Sequence, residues 1–401
     1  MGAEAVKSSK RTVGIPVLVI SVVIVAVIAA AAVYVAVKPA KEEEAEPGPI
    51  KVGTIMCLSG DLGPVGPGLV KGIELAVWEV NQKGGIQGRQ VELIVEDEET
   101  NPTKAMEVGS KLIDIDGVKV IVGPMISPSV LSLVNKSRDS KVVMITPSAT
   151  AASVSDAGEW VFRVCPTDRV QGKALADLAK VKGYTKVATL VLNNDYGVGL
   201  EDALIDFFEG EVVASVRFES GKADYRTELD TLKAKQPQAI MLVAYPESGT
   251  VILKQAAELQ MGFNWLAAEG IADAVMLQRP EIIPELEKML LTKPRSVNET
   301  VGYQKFLSLF NEKYPGETPG IYADYAYDAA SMALMAIAYG GNDGEGIKDV
   351  LNLVGDHFNG ASGDKTFDAN GDVYADFDIL AVKNNKMVSV GTWIQGVVTL
   401  T

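Results

Sequence analysis

The chain has 401 residues, of which 52 are acidic and 37 are basic, for a formal net charge of −15. This length exceeds that of one average domain and predicts two domains plus an extension. A hydrophobic fraction of 47% and a charged fraction of 22% are typical of a globular protein, which excludes general disorder and a polytopic membrane protein. The acidic charge disfavours nucleic acid as a partner, because an acidic surface repels phosphate backbones.

The first predicted element is an uncharged run of 25 residues at 13–37. A helix over this run would be about 37 Å long, enough to cross a hydrocarbon core of about 30 Å. Basic residues precede the run and acidic residues follow it: Lys7, Lys10 and Arg11 on one side, and Glu42, Glu43, Glu44 and Glu46 on the other. The positive-inside rule therefore predicts a cytoplasmic tail at 1–12, a transmembrane anchor at 13–37 and a cell-membrane protein whose remaining chain is extracytoplasmic.

A cleaved secretory signal peptide is the alternative to this anchor. The apolar region of a signal peptide is usually about 7 to 15 residues long, which is shorter than the run observed here. No cysteine follows the run closely enough to carry a lipid anchor. Both alternatives place the rest of the chain outside the cytoplasm. Residues 38–48, with three consecutive glutamates, are typical of a solvated acidic linker.

Strand and helix patterns alternate beyond the linker. Helix starts are predicted at Asn101, as a cap before Pro102, and at Ser127, as a cap before Pro128. An amphipathic helix also follows the Gly- and Pro-rich loop at 59–68. The strand patterns of this part are, in chain order, 50–56, 91–97, 118–123 and 142–148.

The same alternation restarts further along the chain. Strand patterns occur at 186–195, 212–218, 239–245 and 264–270, with helical stretches around 200–208, 225–235 and 248–261. Two successive runs of βαβ units predict an α/β fold with two doubly wound lobes. Ligands of such sheets bind beyond the carboxyl ends of the strands, so the predicted site is the cleft between the lobes.

Tests for catalysis and for cofactors give negative predictions. His357 is the only histidine and lies in a turn-rich segment, so a histidine-based triad and a histidine metal cluster are excluded and a surface loop position is expected. The loop at 59–68 matches neither the G-x-G-x-x-G spacing of dinucleotide-binding loops nor the G-x-x-x-x-G-K-[ST] spacing of phosphate-binding loops. Cys57 and Cys165 lie 108 positions apart without a spacing motif; a disulfide is permitted outside the cell, but two unpaired buried thiols are the preferred reading. We therefore predict no enzyme, no metal and no cofactor.

Several segments, in this order and spacing over about 350 residues, carry a resemblance to a known family: "IKVGTIMCLSGDLG", "NQKGGIQGRQVELIVEDEETNPTKA", "KVIVGPMISPSV", "VMITPSATA", "NNDYGVGL", "AEG", "LTKP", "YADYAYDAA" and "TFDANGD". The chain beyond the linker resembles the type I periplasmic solute-binding proteins, specifically the leucine/isoleucine/valine-binding branch of ABC importers. The resemblance implies capture of a small-molecule amino acid by a clamp that docks on an ABC permease in the membrane.

The resemblance also implies a division of the chain. Two Rossmann-like lobes would be joined by three crossover strands, near Val164 to Asp168, Lys293 and Pro294, and Ala375. Lobe 1 would comprise 49–166 and 294–375, and lobe 2 would comprise 167–293 and 376–401.

The ligand-binding residues are carried over by position. In such proteins the ligand carboxylate is held by hydroxyls and amides of the first lobe, which match Ser127, Ser148, Ala149 and Thr150 here. Both segments are predicted helix starts, where free N–H groups favour an anion. The ammonium group is held by a carboxylate that matches Glu269. Aromatic positions that cover the ligand match Tyr196, Tyr245 and Tyr322.

One departure from the family pattern affects the expected ligand. A position in the first loop that is often aromatic in this branch is Val65 here, which predicts a reshaped side-chain pocket. An aliphatic amino acid is the expected ligand. An amide, urea or small carboxylic acid, and a role as a ligand-sensing receptor ectodomain, remain the alternatives.

Overall fold

The computed structural model describes residues 48–295, 297–355 and 357–401. The predicted tail and anchor, and all but the last residue of the predicted linker, lie outside the described residues. Within the described ranges, no helix combines the length and the apolar character that crossing a membrane would require.

The first half of the described chain forms a five-stranded parallel sheet in the order β2-β1-β3-β4-β5. Its strands are β1 (Ile50–Met56), β2 (Val91–Asp97), β3 (Val120–Val122), β4 (Val143–Thr146) and β5 (Val161–Arg163). The helices between them are α1 (Gly66–Gln82), α2 (Pro102–Lys111) and α3 (Ser127–Ser140), with a π-helical turn at Leu112–Asp116 and a 3-10 turn at Ala152–Asp156. All residues of β3, β4 and β5 are buried, because helices cover this sheet on both faces.

A second sheet of eight strands has the order β15-β14-β13-β10-β9-β8-β6-β7. Five strands are parallel to one another: β6 (Lys186–Leu192), β7 (Glu211–Phe218), β8 (Ala239–Val243), β9 (Asn264–Ala267) and β10 (Met289–Pro294). The helices of this part are α4 (Asp168–Val181), α5 (Asp195–Phe207), α6 (Arg226–Lys235), α7 (Pro246–Glu258) and α8 (Ile283–Leu286), with 3-10 turns at Glu269–Ile271, Ala274–Gln278 and Pro280–Ile282.

The last three strands of this sheet run antiparallel to their neighbours, and the sequence patterns did not identify them. They are β13 (Phe377–Lys383), β14 (Lys386–Ile394) and β15 (Val397–Leu400). Before them come α9 (Val301–Lys313), α10 (Ala323–Gly340), α11 (Gly344–Val354) and a small hairpin of β11 (Phe358–Gly360) and β12 (Gly363–Lys365). The second sheet is therefore mixed, whereas the first is entirely parallel.

The chain passes between the two halves more than once. It leaves the first sheet after Arg163 and enters the second at Lys186. After β10, helices α9 and α10 pack against α1 of the first half, and the chain re-enters the second sheet at Phe377. The contact of α10 with α1 is close, because a Cβ atom on Gly72 would lie 2.1 Å from the carbonyl oxygen of Ala323.

Candidate ligand-binding site

A small cavity of about 40 Å³ lies between the two halves, where parallel strands of both sheets end. Seven of the eight predicted site residues line it: Ser127, Ser148, Thr150, Tyr196, Tyr245, Glu269 and Tyr322. Each follows a strand or begins a helix, in the position expected for ligand contacts in α/β sheets. The other lining residues are Leu62, Val65, Met125, Ile126, Gly270 and Ile321.

The hydroxyl-bearing wall of the cavity comes from the ends of β3 and β4. Ser127 begins α3, and its Oγ accepts a hydrogen bond of 3.1 Å from the N–H of Ala151. Ser148 Oγ donates to the carbonyl oxygen of Met125 at 2.8 Å. These bonds tie the two segments together. The hydroxyl of Thr150 is buried without a hydrogen-bond partner among the described residues, so it remains available to a ligand.

Two predictions about this wall need correction. Ser127 is not the helix cap, because Ile126 occupies that position with an extended backbone and Ser127 is already helical. The segment around Ser148 does not begin a helix either, since only a short 3-10 turn follows it, from Ala152.

Ala149 is the predicted residue that does not line the cavity. Its N–H donates to Thr146 Oγ1 at 3.1 Å, and that hydroxyl in turn donates to the carbonyl oxygen of Pro124 at 2.7 Å. Thr146, the last residue of β4, was not predicted as part of the site. It fixes the turn that presents Ser148 and Thr150.

A buried arginine supports the same turn from behind. Arg163 is 1% exposed, and its Nη1 donates to three successive carbonyl oxygens: Ala149 at 3.4 Å, Thr150 at 3.0 Å and Ala151 at 2.8 Å. Its Nε pairs with Asp372 at 2.5 Å. Because one guanidinium donates to all three carbonyl oxygens, it fixes the shape of the turn and places a positive charge next to it.

The opposite wall carries a buried carboxylate. Glu269, which begins the 3-10 turn after β9, is 4% exposed, and its Oε2 has no hydrogen-bond partner among the described residues. Burial raises the pKa of Glu269, and the polar side chains of Gln171 and Tyr196 offset only part of this rise. A buried carboxylate without a cation is unfavourable. A positive group in the cavity would therefore stabilise the ionised form of Glu269.

Aromatic side chains cover the cavity. The rings of Tyr196 and Tyr245 are parallel, with centroids 5.6 Å apart. Tyr322 precedes α10 in a left-handed conformation at φ 62°, which is rare for an aromatic residue and often marks a functional site. The hydroxyls of Tyr196 and Tyr322 have no partner among the described residues. Both can bond to a ligand or to an ordered water molecule.

Two contacts join the halves beside the cavity. Asp61, in the loop after β1, accepts from the backbone N–H of Ser248 at 3.0 Å and from its Oγ at 2.7 Å, at the start of α7. Asp273 accepts from the N–H of Ile321 at 3.1 Å across the same cleft.

Sequence reasoning missed Asp61 and the apolar lining residue Leu62. Both lie in the Gly- and Pro-rich loop at 59–68, beyond the carboxyl end of β1. The strand-end rule that placed the predicted site in the cleft between the lobes would also have selected this loop.

The cysteines and the histidine contribute no chemistry to the cavity. Cys57 and Cys165 are both buried and unpaired, which confirms the preferred reading. His357 is exposed, as predicted. Across residues 48–295, 297–355 and 357–401, no group of three or more histidine, cysteine, aspartate or glutamate residues could hold a metal ion.

Comparisons with known proteins agree with this architecture. Residues 49–386 match the family model described as periplasmic binding protein. The substrate-binding protein BasB of a chemotactic signal transduction system in Halobacterium salinarum is 27% identical over 304 residues, which cover 73% of this chain and 71% of BasB. The Leu/Ile/Val-binding protein of Escherichia coli is 30% identical over 258 residues, which cover 62% of this chain and 69% of that protein.

A solved structure has the same fold. The branched-chain amino acid transporter substrate-binding protein LivJ of Streptococcus pneumoniae, crystallised with isoleucine, superposes with a TM-score of 0.77 at 26% identity. The match covers 88% of this chain and 100% of that chain. The family model spans well over half of the sequence, and the two-sheet architecture agrees with it. The chain therefore belongs to the periplasmic binding protein family and has its type I α/β fold.

Proposed function

We propose that this chain is the extracytoplasmic solute-binding component of an ABC importer and that it binds an α-amino acid with an aliphatic side chain. One observation carries the proposal: a single cavity has hydroxyl groups on one wall and a buried carboxylate without a partner, Glu269, on another. Opposite charges on a zwitterion complement these two walls.

The ligand carboxylate binds at the hydroxyl-bearing wall. Ser127 and Ser148 present their hydroxyls from two segments that are hydrogen-bonded to each other. The hydroxyl of Thr150 has no hydrogen-bond partner among the described residues and can bond to the ligand. The N-terminal end of α3 adds a favourable dipole for an anion. Ala149 acts through the shape of the turn, because Thr146 occupies its N–H.

The ammonium group binds Glu269. The hydroxyls of Tyr196 and Tyr322 complete the polar contacts, and Tyr245 stacks on Tyr196 to exclude water. Excluding water strengthens each charged contact, because screening by solvent is reduced. These roles follow from the matched positions and from the grouping of the residues around one cavity.

The remaining lining residues suit an aliphatic side chain. Leu62, Val65, Ile126 and Ile321 are buried hydrophobic residues of the cavity wall. Among the residues that the structure describes, Glu269 is the only charged group that lines the cavity, so a second charge on the ligand would be desolvated without a partner. Aliphatic amino acids are favoured over acidic and basic ones for this reason.

The proposal includes the organisation of the chain. Two lobes, at 49–166 with 294–375 and at 167–293 with 376–401, open and close around three crossover segments, and the closed form docks on a permease. The first 48 residues supply a cytoplasmic tail, an anchor at 13–37 and an acidic linker. The charge asymmetry around the apolar run supports this orientation.

Calorimetry of the full chain against the common amino acids, their amides and short carboxylic acids tests the proposal. We expect binding of one or more of leucine, isoleucine and valine, recovery of the ligand chemically unchanged, and a large loss of affinity in Glu269→Gln. Tight binding of an uncharged amide that Glu269→Gln leaves undiminished would contradict the zwitterion model.

Ligand sensing is the second candidate function. Its support is the similarity to BasB, whose name places it in a chemotactic signal transduction system. A permease and an ATPase encoded next to this chain would favour transport, whereas a neighbouring transducer or kinase would favour sensing. Both functions use the same cavity and the same ligand chemistry.

A further inference from the structure

Lys365 is a buried cation that the proposed function does not use. It is the last residue of β12 and is 1% exposed. Its Nζ donates to the carbonyl oxygen of Ser362 at 2.7 Å. In the part of the chain that the structure describes, Lys365 forms no salt bridge. A buried charge without a direct carboxylate partner is unfavourable, so another group must compensate it.

An aromatic ring provides this compensation. The Nζ of Lys365 lies over the ring of Tyr325, 4.7 Å from its centroid. Tyr325 belongs to the first turn of α10 and is 3% exposed, so the ammonium and the ring meet away from water. An ammonium within about 6 Å of an aromatic centroid is attracted by the face of the ring, most strongly where both groups are desolvated. The contact therefore favours one orientation of the Tyr325 ring.

Nearby carboxylates favour the charged form of Lys365. Burial lowers the pKa of Lys365, whereas the negative charges of Asp328 and Asp324 raise it. Burial raises the pKa of Asp328 to about 6, so this carboxyl is still ionised at neutral pH. The ammonium over the ring is thus supported by charges that do not contact it directly.

Asp328 also fixes the hairpin that carries Lys365. It lies one turn after Tyr325 on α10 and is 0% exposed. Its carboxylate accepts from the N–H of Ala361 at 2.7 Å and from the N–H of Ser362 at 2.8 Å. The hydroxyl of Ser362 donates to the same carboxylate. These bonds hold the hairpin of β11 and β12 against α10, with Lys365 over the ring.

The ring of Tyr325 supports a tyrosine of the ligand cavity. The rings of Tyr322 and Tyr325 meet edge to face, with centroids 5.2 Å apart and planes at 76°. Tyr322 lines the cavity with a left-handed backbone at φ 62°. A non-glycine residue keeps such a conformation only where its surroundings hold it. Contacts therefore lead without interruption from Lys365, through Tyr325, to the cavity wall.

We propose that Lys365 is a positioning residue for the ligand: through Tyr325 it holds Tyr322 with its hydroxyl available in the cavity. The inference rests on the proposed function, in which this hydroxyl contacts the ligand. Lys365 itself lies behind the two rings. Its charge sets the affinity for the ligand by limiting how far Tyr325, and with it Tyr322, can turn.

Lys365→Met tests the inference, because methionine keeps most of the side-chain length and lacks the charge. Calorimetry of the full chain with L-leucine, L-isoleucine and L-valine measures affinity, and chemical unfolding without ligand measures stability. We expect Lys365→Met to bind about tenfold more weakly than wild type. Lys365→Arg should stay within about threefold of wild type, because a guanidinium also stacks on aromatic faces.

A double-mutant cycle with Tyr322→Phe separates positioning from a general loss of packing. Tyr322→Phe removes the hydroxyl through which Lys365 is proposed to act. In that background, Lys365→Met should cause no further loss of affinity. A merely structural role would lower stability and leave affinity unchanged, or would give losses of affinity that add in the double variant. Either result would overturn the inference.

Lys348→Met is the matched control. Lys348 is 9% exposed, and its Nζ lies 4.6 Å from the centroid of the Trp160 ring. Trp160 precedes β5, at the end of the first sheet opposite to the cavity, so this variant should leave affinity unchanged. Should Lys365→Met fail to fold, Tyr325→Leu takes its place in the cycle with the same expected and contrary results, because it removes the connecting ring. Failure of wild type to bind any of the three amino acids would overturn the proposed function, and this inference with it.

Discussion

The carboxylate of Asp61 joins the two halves of the molecule, and its removal is the sharpest test of closure. Asp61 belongs to the loop after β1, whereas Ser248 begins α7 of the other half. Its two oxygens accept from the N–H of Ser248 at 3.0 Å and from its Oγ at 2.7 Å. Both residues are buried. The variant Asp61→Asn keeps the shape but removes the charge and one acceptor.

The expected loss follows from these bonds. A hydrogen bond to a charged group contributes about 1.5–3 kcal/mol, and a negative charge at a helix N-terminus adds about 0.3–1 kcal/mol. Burial raises the pKa of Asp61 despite the bonds from Ser248, so desolvation cancels part of this gain. Under the proposed function the two lobes close around the ligand, and this closure forms the bonds of Asp61. We therefore expect a net loss of about 1–3 kcal/mol, which corresponds to a ligand affinity lower by roughly 5- to 150-fold.

Calorimetric dissociation constants for wild type, Asp61→Asn, Ser248→Ala and the double variant form a cycle that isolates the pair. Asp97→Asn is the control, because Asp97 also accepts from a serine, Ser59 Oγ at 2.7 Å, but within one half of the molecule. It should change affinity by less than about threefold. An affinity unchanged in Asp61→Asn, or effects that add in the double variant, would refute the assigned role in closure.

Three further predictions concern charge and packing. Burial raises the pKa of Glu269 above its ordinary value near 4.5, so the folded protein binds this proton more tightly than the unfolded chain does. The folded protein therefore loses stability as pH rises from about 4 towards neutral. In thermal melts, Glu269→Gln should lack this loss. Arg163→Met leaves a carboxylate buried without its partner and should cost about 3–5 kcal/mol in chemical unfolding; an unchanged midpoint would contradict that role. Gly72→Ala should lower the free energy of unfolding by about 1–3 kcal/mol, because the added Cβ would lie 2.1 Å from the carbonyl oxygen of Ala323. Gly68→Ala is the control on the same helix: its Cβ would meet no atom closer than 3.8 Å, and stability should not fall.

Local patterns predicted the parallel parts of the fold well. The strands at 50–56 and 91–97 have the predicted bounds, and Asn101 caps α2 by accepting from the N–H of Thr103 at 2.8 Å. Continuous apolar runs and helix caps depend on neighbouring residues, so the sequence contains them. Ser127 was misplaced by one position, because Ile126 has the extended backbone of the cap.

The antiparallel strands at the end of the chain were missed although a local signal was present. Asn384 and Asn385 both have positive φ, at 51° and 56°, and connect β13 to β14. Two asparagines between alternating hydrophobic residues favour a two-residue hairpin. This turn predicts an antiparallel strand pair, and therefore a second sheet with both parallel and antiparallel strands.

The support behind the site could not be predicted from any local pattern. Arg163 reaches Asp372 across 209 positions, and Asp61 reaches Ser248 across 187. Such pairs depend on how the two sheets are placed, which periodicity and capping do not encode. The residues that touch the cavity were accessible through resemblance, whereas those that hold them in place required the structure.

The polar groups around the cavity are arranged with positive charge on one side and negative charge on the other, which is the arrangement that the proposed binding of a zwitterion requires. On one side, the N-terminal end of α3 and the guanidinium of Arg163 place positive charge behind the serines. On the other, Glu269 presents an unpartnered oxygen. Thr150 lies where the two sides meet, because its carbonyl oxygen accepts from both Arg163 at 3.0 Å and the N–H of Asp168 at 2.8 Å. A ligand with only one of the two charges would satisfy one side and leave the other desolvated, so selectivity arises from the unmet side as much as from the contacts that form.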